Sequence, residues 1–359
     1  MRTGFAQLPL HGGKAPAWLF RRMVRLARAV VCHVVDEHGP DEVLARLSDP
    51  YWFQALGCVL GFDWHSSGVT TTTCGAIKEG VKGLEQELGL YAAGGKGAAS
   101  RRTPGEIEAA CVRLARAPDA LVQASRLAAK VDSAAVQDGY ELYHHSFFFT
   151  RNGRWCVVQQ GLNDGEGTAR RYHWLGSRVE SFVNEPHAAV CCDRRGEVLN
   201  LVAAESDGSR AAIAELARTP DRDVARVVER LPTLVLPGRH PVASADIDPR
   251  YLHKILVSTY ERAPADFAAL LAVPGVGAKT LRALALIAEL IYGSPASTRD
   301  PARFSFAHGG KDGTPYAVDR ETYDRTIAVL HDALGRAAVD AGEKRQALRR
   351  LAAFAPPGG

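Results

Sequence analysis

Leu19, Met23, Leu26, Val30 and Val34 recur at steps of three and four, which gives the first long helix one apolar face. Pro16 suits its first turn, and Gly39 with Pro40 ends it. Helices are also expected over 41–47, 76–88, 105–116 and 119–136. The pattern then turns to strands. Leu142 to Thr150 and Trp155 to Gln160 flank Asn152-Gly153, a strong short hairpin signal. A two-residue type I′ turn there pairs Phe149 with Cys156, Phe147 with Val158, Ser146 with Gln159 and His145 with Gln160. Near the turn both faces are apolar, as in a central, buried hairpin. A second hairpin is expected from Ala188–Cys192 and Val198–Val202, around Asp193 to Gly196. Helices return at 265–272, in an apolar stretch ending at Ile291, and from Asp319 onward, where Tyr323, Ile327, Leu330 and Leu334 share a face. The fold class read from this order is α+β. It comprises a helical region with Gly-rich loops over 1–139, a mostly antiparallel sheet over 140–235 and a C-terminal region of paired helices over 236–359.

Composition narrows the class. The chain has 359 residues, 46% hydrophobic and 23% charged, which excludes collagen-like, disordered and disulfide-scaffold classes. No apolar run reaches about 18 residues, so no membrane partner is expected, and the N-terminus has no signal-peptide core. Seven cysteines without CxxC spacing point to a reducing cytoplasm and away from a zinc knuckle or an iron–sulfur cluster. The net charge of +4 is compatible with nucleic-acid binding without requiring it.

Candidate chemistry lies in several places. Arg21, Arg25 and Arg28, beside Arg22, form a stripe able to follow a phosphate backbone, or a solvated helix face. Two loops are unusual: Gly61 to Val69, which holds Asp63 and His65 and runs into four threonines, and Ala93 to Gly97, which holds Lys96. Lys311 follows a His-Gly-Gly that repeats His11-Gly12-Gly13. None has Walker A spacing, so no nucleotide cofactor is expected. At the open end of the first hairpin, His144, His145, Ser146, Gln159 and Gln160 crowd together. That cluster reads either as a structural network or as a site. Arg170, Arg171 and His173 mix cations with rings, as a phosphate- and base-contacting bend does, and His187 opens the next strand.

Leu270 to Leu281 contain Pro274-Gly275-Val276-Gly277-Ala278-Lys279-Thr280, followed by an apolar helix. This resembles the helix-hairpin-helix motif. The resemblance implies a turn whose N–H groups meet a DNA phosphate, with Gly275, Val276, Gly277, Lys279 and Thr280 as the contact set and no bases read. In glycosylases with this motif the Schiff-base lysine falls at the place of Lys279, and Asp300 is roughly where their aspartate lies. More widely, GFDWHSSGVTTTTCGAIKEG, YELYHHSFFFT, WCVVQQGLN, ARRYHWL, EPHAAVCCD and PGVGAKTLRALALIAELIYG resemble a prokaryotic family known as domain of unknown function 763, which implies no established chemistry. The function expected is that of a DNA-binding repair nuclease. A divalent ion, Mg²⁺ or Mn²⁺, would be held by Asp63, His65 and His187, with Glu141, His144, His145, Gln160 and His173 as catalytic groups. A non-catalytic DNA-binding accessory factor and a glycosylase/lyase using Lys279 are the alternatives.

Overall fold

A computed structural model describes residues 16–61, 68–192, 195–218, 249–302, 320–337 and 339–354. Strands β1 (Leu90–Lys96), β3 (Glu141–Thr150), β4 (Trp155–Asn163), β5 (Thr168–Leu175) and β6 (Ala189–Cys191) lie side by side in that order in one antiparallel sheet. A second, two-stranded ladder joins β2 (Val136–Gln137) to β7 (Leu199–Asn200). The architecture is α+β.

Helices cover both faces of the large sheet, which is why its inner strands read as unbroken apolar runs. Phe148, Cys156, Val158 and Leu175 point into a core shared with α1 (Ala17–His38), α2 (Pro40–Ser48), α3 (Pro50–Leu60), α4 (Gly68–Val81), α13 (Arg320–Arg336) and α14 (Ala341–Phe354). Phe147, Phe149, Val157, Tyr172 and Trp174 point the other way. Their core includes α7 (Thr103–Arg113), α8 (Asp119–Lys130), α9 (Asp207–Arg218), α10 (Pro249–Arg262), α11 (Phe267–Ala272) and α12 (Ala278–Tyr292). The one-turn helices α5 (Glu85–Leu88) and α6 (Ala98–Arg101) flank β1.

Several expectations change. The hairpin between β3 and β4 exists, but its register is one residue away from the expected one. Phe149 pairs with Trp155, Phe148 with Cys156, His145 with Gln159 and His144 with Gln160. The loop has three residues, not two. Thr150 N–H donates to Arg154 O at 2.9 Å, and only Gly153 (φ +81°) takes the left-handed conformation, so Arg151 joins the turn. A slip of one residue exchanges faces along the paired strand. A bulge between Leu142 and His144 shifts the register once more.

The second expected hairpin does not form, because Leu199–Asn200 pairs with Val136–Gln137 and β6 pairs with β5. The expected loop at Ala93 to Gly97 is mostly the edge strand β1. Gly94 is required there, since a Cβ would sit 2.2 Å from His145 O. The helix expected from residue 76 starts at Gly68, with all four threonines in it. Helix α3 was hidden by having no period, being buried on every side. The arginine stripe of α1 is largely tied down. Arg28 Nε donates to Gly80 O at 2.6 Å at the end of α4, while Arg22 and Arg25 pair with Glu343 at 3.2 and 3.3 Å.

Candidate nucleic-acid interface and the polar rows of the sheet

Helices α11 and α12 are joined by Val273 to Gly277. Asp266 caps α11 by accepting from Ala269 N–H at 2.8 Å. Val273 and Val276 are buried under the turn, while Pro274, Gly275 and Lys279 are exposed. Gly275 has φ +90°, and a Cβ there would lie 2.8 Å from Ile255 Cδ1. Gly277 is the N-cap of α12, and the first bond closed is Leu281 N–H to Gly277 O at 3.0 Å. The first-turn N–H groups of α12 therefore have no partner within the helix, and they carry the positive end of its dipole.

The turn is held from below. Lys130 Nζ, its pKa lowered by burial, donates to Val276 O at 2.5 Å. Gln137 Nε2 donates to Ala278 O at 2.9 Å, and Gln137 Oε1 accepts from Arg282 Nε at 2.7 Å.

The polar cluster of the sheet divides between the two faces. On one face Lys96, His144, Gln160, Arg171 and Cys191 occupy neighbouring positions across all five strands. Lys96 is exposed, with Nζ 5.5 Å from the Tyr143 ring centroid. Gln160 Nε2 donates to Tyr143 Oη at 2.7 Å, and burial pushes that phenol up to about 12. His144 Nε2 lies 3.1 Å from Ser146 Oγ, and its Nδ1 is buried without a hydrogen-bond partner. Burial, with His145 and Lys96 nearby, pushes this imidazole down to about 3. Arg171 is fully buried. Its Nε donates to His173 Nε2 at 2.8 Å, its Nη1 to Gln54 Oε1 at 3.1 Å, and it lies over the Phe53 ring at 4.7 Å. His173 Nδ1 donates to Leu47 O at 2.8 Å, and burial holds its pKa well down.

On the other face the centre is Asp132, a residue singled out by no motif. It sits on a π-turn, Val131–Ala135, that extends α8. Asp132 Oδ2 accepts from Gln159 Nε2 at 2.5 Å and from Trp174 Nε1 at 2.9 Å, and Oδ1 accepts from His187 Nε2 at 2.5 Å. Gln159 Oε1 thereby faces His145 Nδ1 at 2.7 Å, so that nitrogen carries the proton. His145 Nε2 is left to accept from Ser125 Oγ at 2.9 Å. Burial lowers the His145 pKa, which keeps the ring neutral. A sequence signal did exist: Leu121, Ser125, Ala128 and Asp132 follow steps of four, three and four, placing a hydroxyl and a carboxylate on the apolar face of α8.

The structure thus joins His145 to His187 through Gln159 and Asp132, and groups His144, Gln160, Arg171 and His173 on the opposite face. Glu141 joins neither group; it is exposed, opposite Leu162. The expected exposed bend at Arg170 and Arg171 is a buried strand. Arg170 is only 2% exposed and bonds Asp138 at 2.9 Å and Asp300 at 2.8 Å, while Tyr172 Oη donates to Asp138 at 2.7 Å. The Asp300 considered with Lys279 for lyase chemistry is therefore held by Arg170 and by the Gly196 and Ala302 N–H groups. Asp63, His65 and Lys311 lie outside the described residues. Among the described residues, no group of three or more His, Cys, Asp or Glu side chains is arranged to hold a metal ion, and no helix is long and apolar enough to cross a membrane.

A family model described as a protein of unknown function (DUF763) matches residues 4–318, and the chain belongs to that family. Neither a curated protein nor a solved structure matches it.

Proposed function

We propose that the protein binds DNA along its phosphate backbone, without reading sequence, through a helix-hairpin-helix turn at Val273 to Thr280. One observation carries the reading. A Gly-Val-Gly-Ala-Lys turn with Gly275 and Lys279 exposed presents the first-turn N–H groups of a 15-residue helix, and half-buried side chains fix it from below. A phosphate oxygen accepts from such groups, and Lys279 adds a cation beside them. The net charge of +4 is small, so the affinity is local to the turn rather than steered by the whole surface.

Gly277 is the residue to change. A Cβ at Gly277 meets nothing within 4 Å and its φ is −137°, so Gly277→Ala leaves the fold intact while crowding the phosphate position. Gly277→Ala combined with Lys279→Glu is expected to weaken binding to a short duplex about tenfold or more on every sequence tried, with an unchanged melting temperature. Wild-type affinity is expected to fall as salt rises from about 50 mM, with the shallow slope of a few phosphate contacts. Equal affinity for the folded double variant at low salt would remove the turn from the reading.

A metal-dependent nuclease is a second reading, favoured by the orphaned Nδ1 of His144 beside Gln160 and Arg171. A proton-transfer group needs a free nitrogen, and the other imidazoles of the cluster bond within the protein. Nicking by the wild type with Mg²⁺ or Mn²⁺, lost in His144→Gln, is the expected result on this reading. Absence of nicking by the wild type leaves backbone binding alone.

A further inference from the structure

A polar cavity of about 380 Å³ lies between the end of α2, the start of α3, the start of α13 and the short turn at Gly176–Arg178. It does not touch the Val273 to Thr280 turn. Its wall brings together three guanidinium groups, Arg46, Arg178 and Arg325, from three separate parts of the chain. Two carboxylates share the wall, and both are already engaged. Glu42 holds Arg46 Nη2 at 2.9 Å, and Asp49 caps α3 by accepting from Tyr51 and Trp52 N–H at 2.8 and 3.3 Å.

Several donors of the wall have no acceptor. Arg178 makes no hydrogen bond among the described residues, and its charge acts on Asp49 across the cavity wall. Arg46 Nε and Trp52 Nε1, both on wall residues, are buried donors without an acceptor. Burying donors without acceptors is unfavourable, and gathering like charges around one cavity adds to that cost. An oxyanion seated among three guanidinium groups supplies acceptors to such donors, since phosphate geometry matches the planar fork of arginine.

We propose that this cavity binds a terminal phosphate group, with Arg178 and Arg325 as the principal contacts and Arg46 behind them. Free inorganic phosphate, a phosphorylated small molecule and the 5′-phosphate of a nucleic-acid strand all present that chemistry. The proposal is independent of the turn at Val273 to Thr280 and is tested with that turn intact.

The experiment uses the full chain and three probes in parallel: inorganic phosphate, a short 5′-phosphorylated strand and the same strand with a 5′-hydroxyl. Arg178→Gln with Arg325→Gln is the test variant. Both side chains are exposed, so the variant is expected to melt with the wild type. Saturable binding of inorganic phosphate that weakens about tenfold or more in the double variant supports the proposal with a free phosphate ligand. Tighter binding of the phosphorylated strand than of the hydroxyl strand, with the difference abolished in the double variant, supports it with a strand end. No phosphate binding together with equal affinity for the two strands overturns it. So does a folded double variant that binds phosphate as the wild type does.

Discussion

Asp132→Ala is expected to destabilise the fold by about 3–5 kcal/mol, the usual cost of removing one partner from a buried ionic or charge-assisted network. Asp132 is fully buried and accepts from Gln159, Trp174 and His187. Alanine leaves all three donors in a cavity, and each orphaned donor costs about 1–3 kcal/mol unless water enters. The damage also spreads along the network. Gln159 presents its amide oxygen to His145 because its amide nitrogen is held by Asp132, with a weaker bond to Ala128 O, and His145 in turn orients toward Ser125. Asp132→Asn keeps the shape but presents an NH₂ where two oxygens accepted, so it is expected to cost less than alanine and more than nothing. Urea unfolding of the wild type and both variants measures this order. An alanine variant within 1 kcal/mol of the wild type would mean that the network is not structural, and the case for a functional Asp132–His187 pair would rise.

The parts legible in the sequence are those with a period or a required conformation. The apolar steps of Leu19 to Val34 run along α1. The Gly275 turn lies between helices where the spacing put it, because a positive φ after Pro274 leaves the chain few options. The register of the first hairpin was not legible. Asn152 and Gly153 can both take positive φ, yet only Gly153 does, and a three-residue loop moves every partner by one. Helix α3 and strand β1 were hidden for opposite reasons. One is buried on every side and has no period, while the other runs through Ala92-Ala93-Gly94-Gly95, where Gly94 lets His145 O approach. The buried arginines were misplaced for a further reason. Charge is normally a mark of the surface, and nothing local to Arg170 announces that Asp138 and Asp300 meet it from 32 and 130 residues away.

The polar cluster on the sheet is expected to make the fold sensitive to acid. Burial lowers the pKa of His144, His145 and His173 below the ordinary value near 6.5, in the case of His144 to about 3. The native state holds these rings neutral, while the unfolded chain protonates all three as pH falls through about 6.5. The unfolded state then binds more protons, so stability rises with pH across this window and is lost on acidification. Above about pH 7 the three rings contribute no slope. Below about 6 each contributes at most about 1.4 kcal/mol per pH unit, or roughly 4 kcal/mol per unit together. The His144 contribution persists until pH approaches its native value of about 3. Asp49, whose pKa is raised by burial, works in the opposite sense, but only near the carboxylate range, well below the onset. Against a total stability of about 5–15 kcal/mol, a slope of this sign is a large fraction of what holds the fold together. Urea unfolding at steps from pH 7.5 to 5 reads the slope, and His145→Gln is expected to remove about one proton from it, whatever its cost at neutral pH. A flat stability over that range would show the rings titrating as in water. The rows on both faces of the sheet would then be open to solvent rather than buried. A steep slope has a consequence for the nuclease reading as well. An imidazole kept neutral down to about 3 has no proton to give at neutral pH, so His144 is restricted to accepting one.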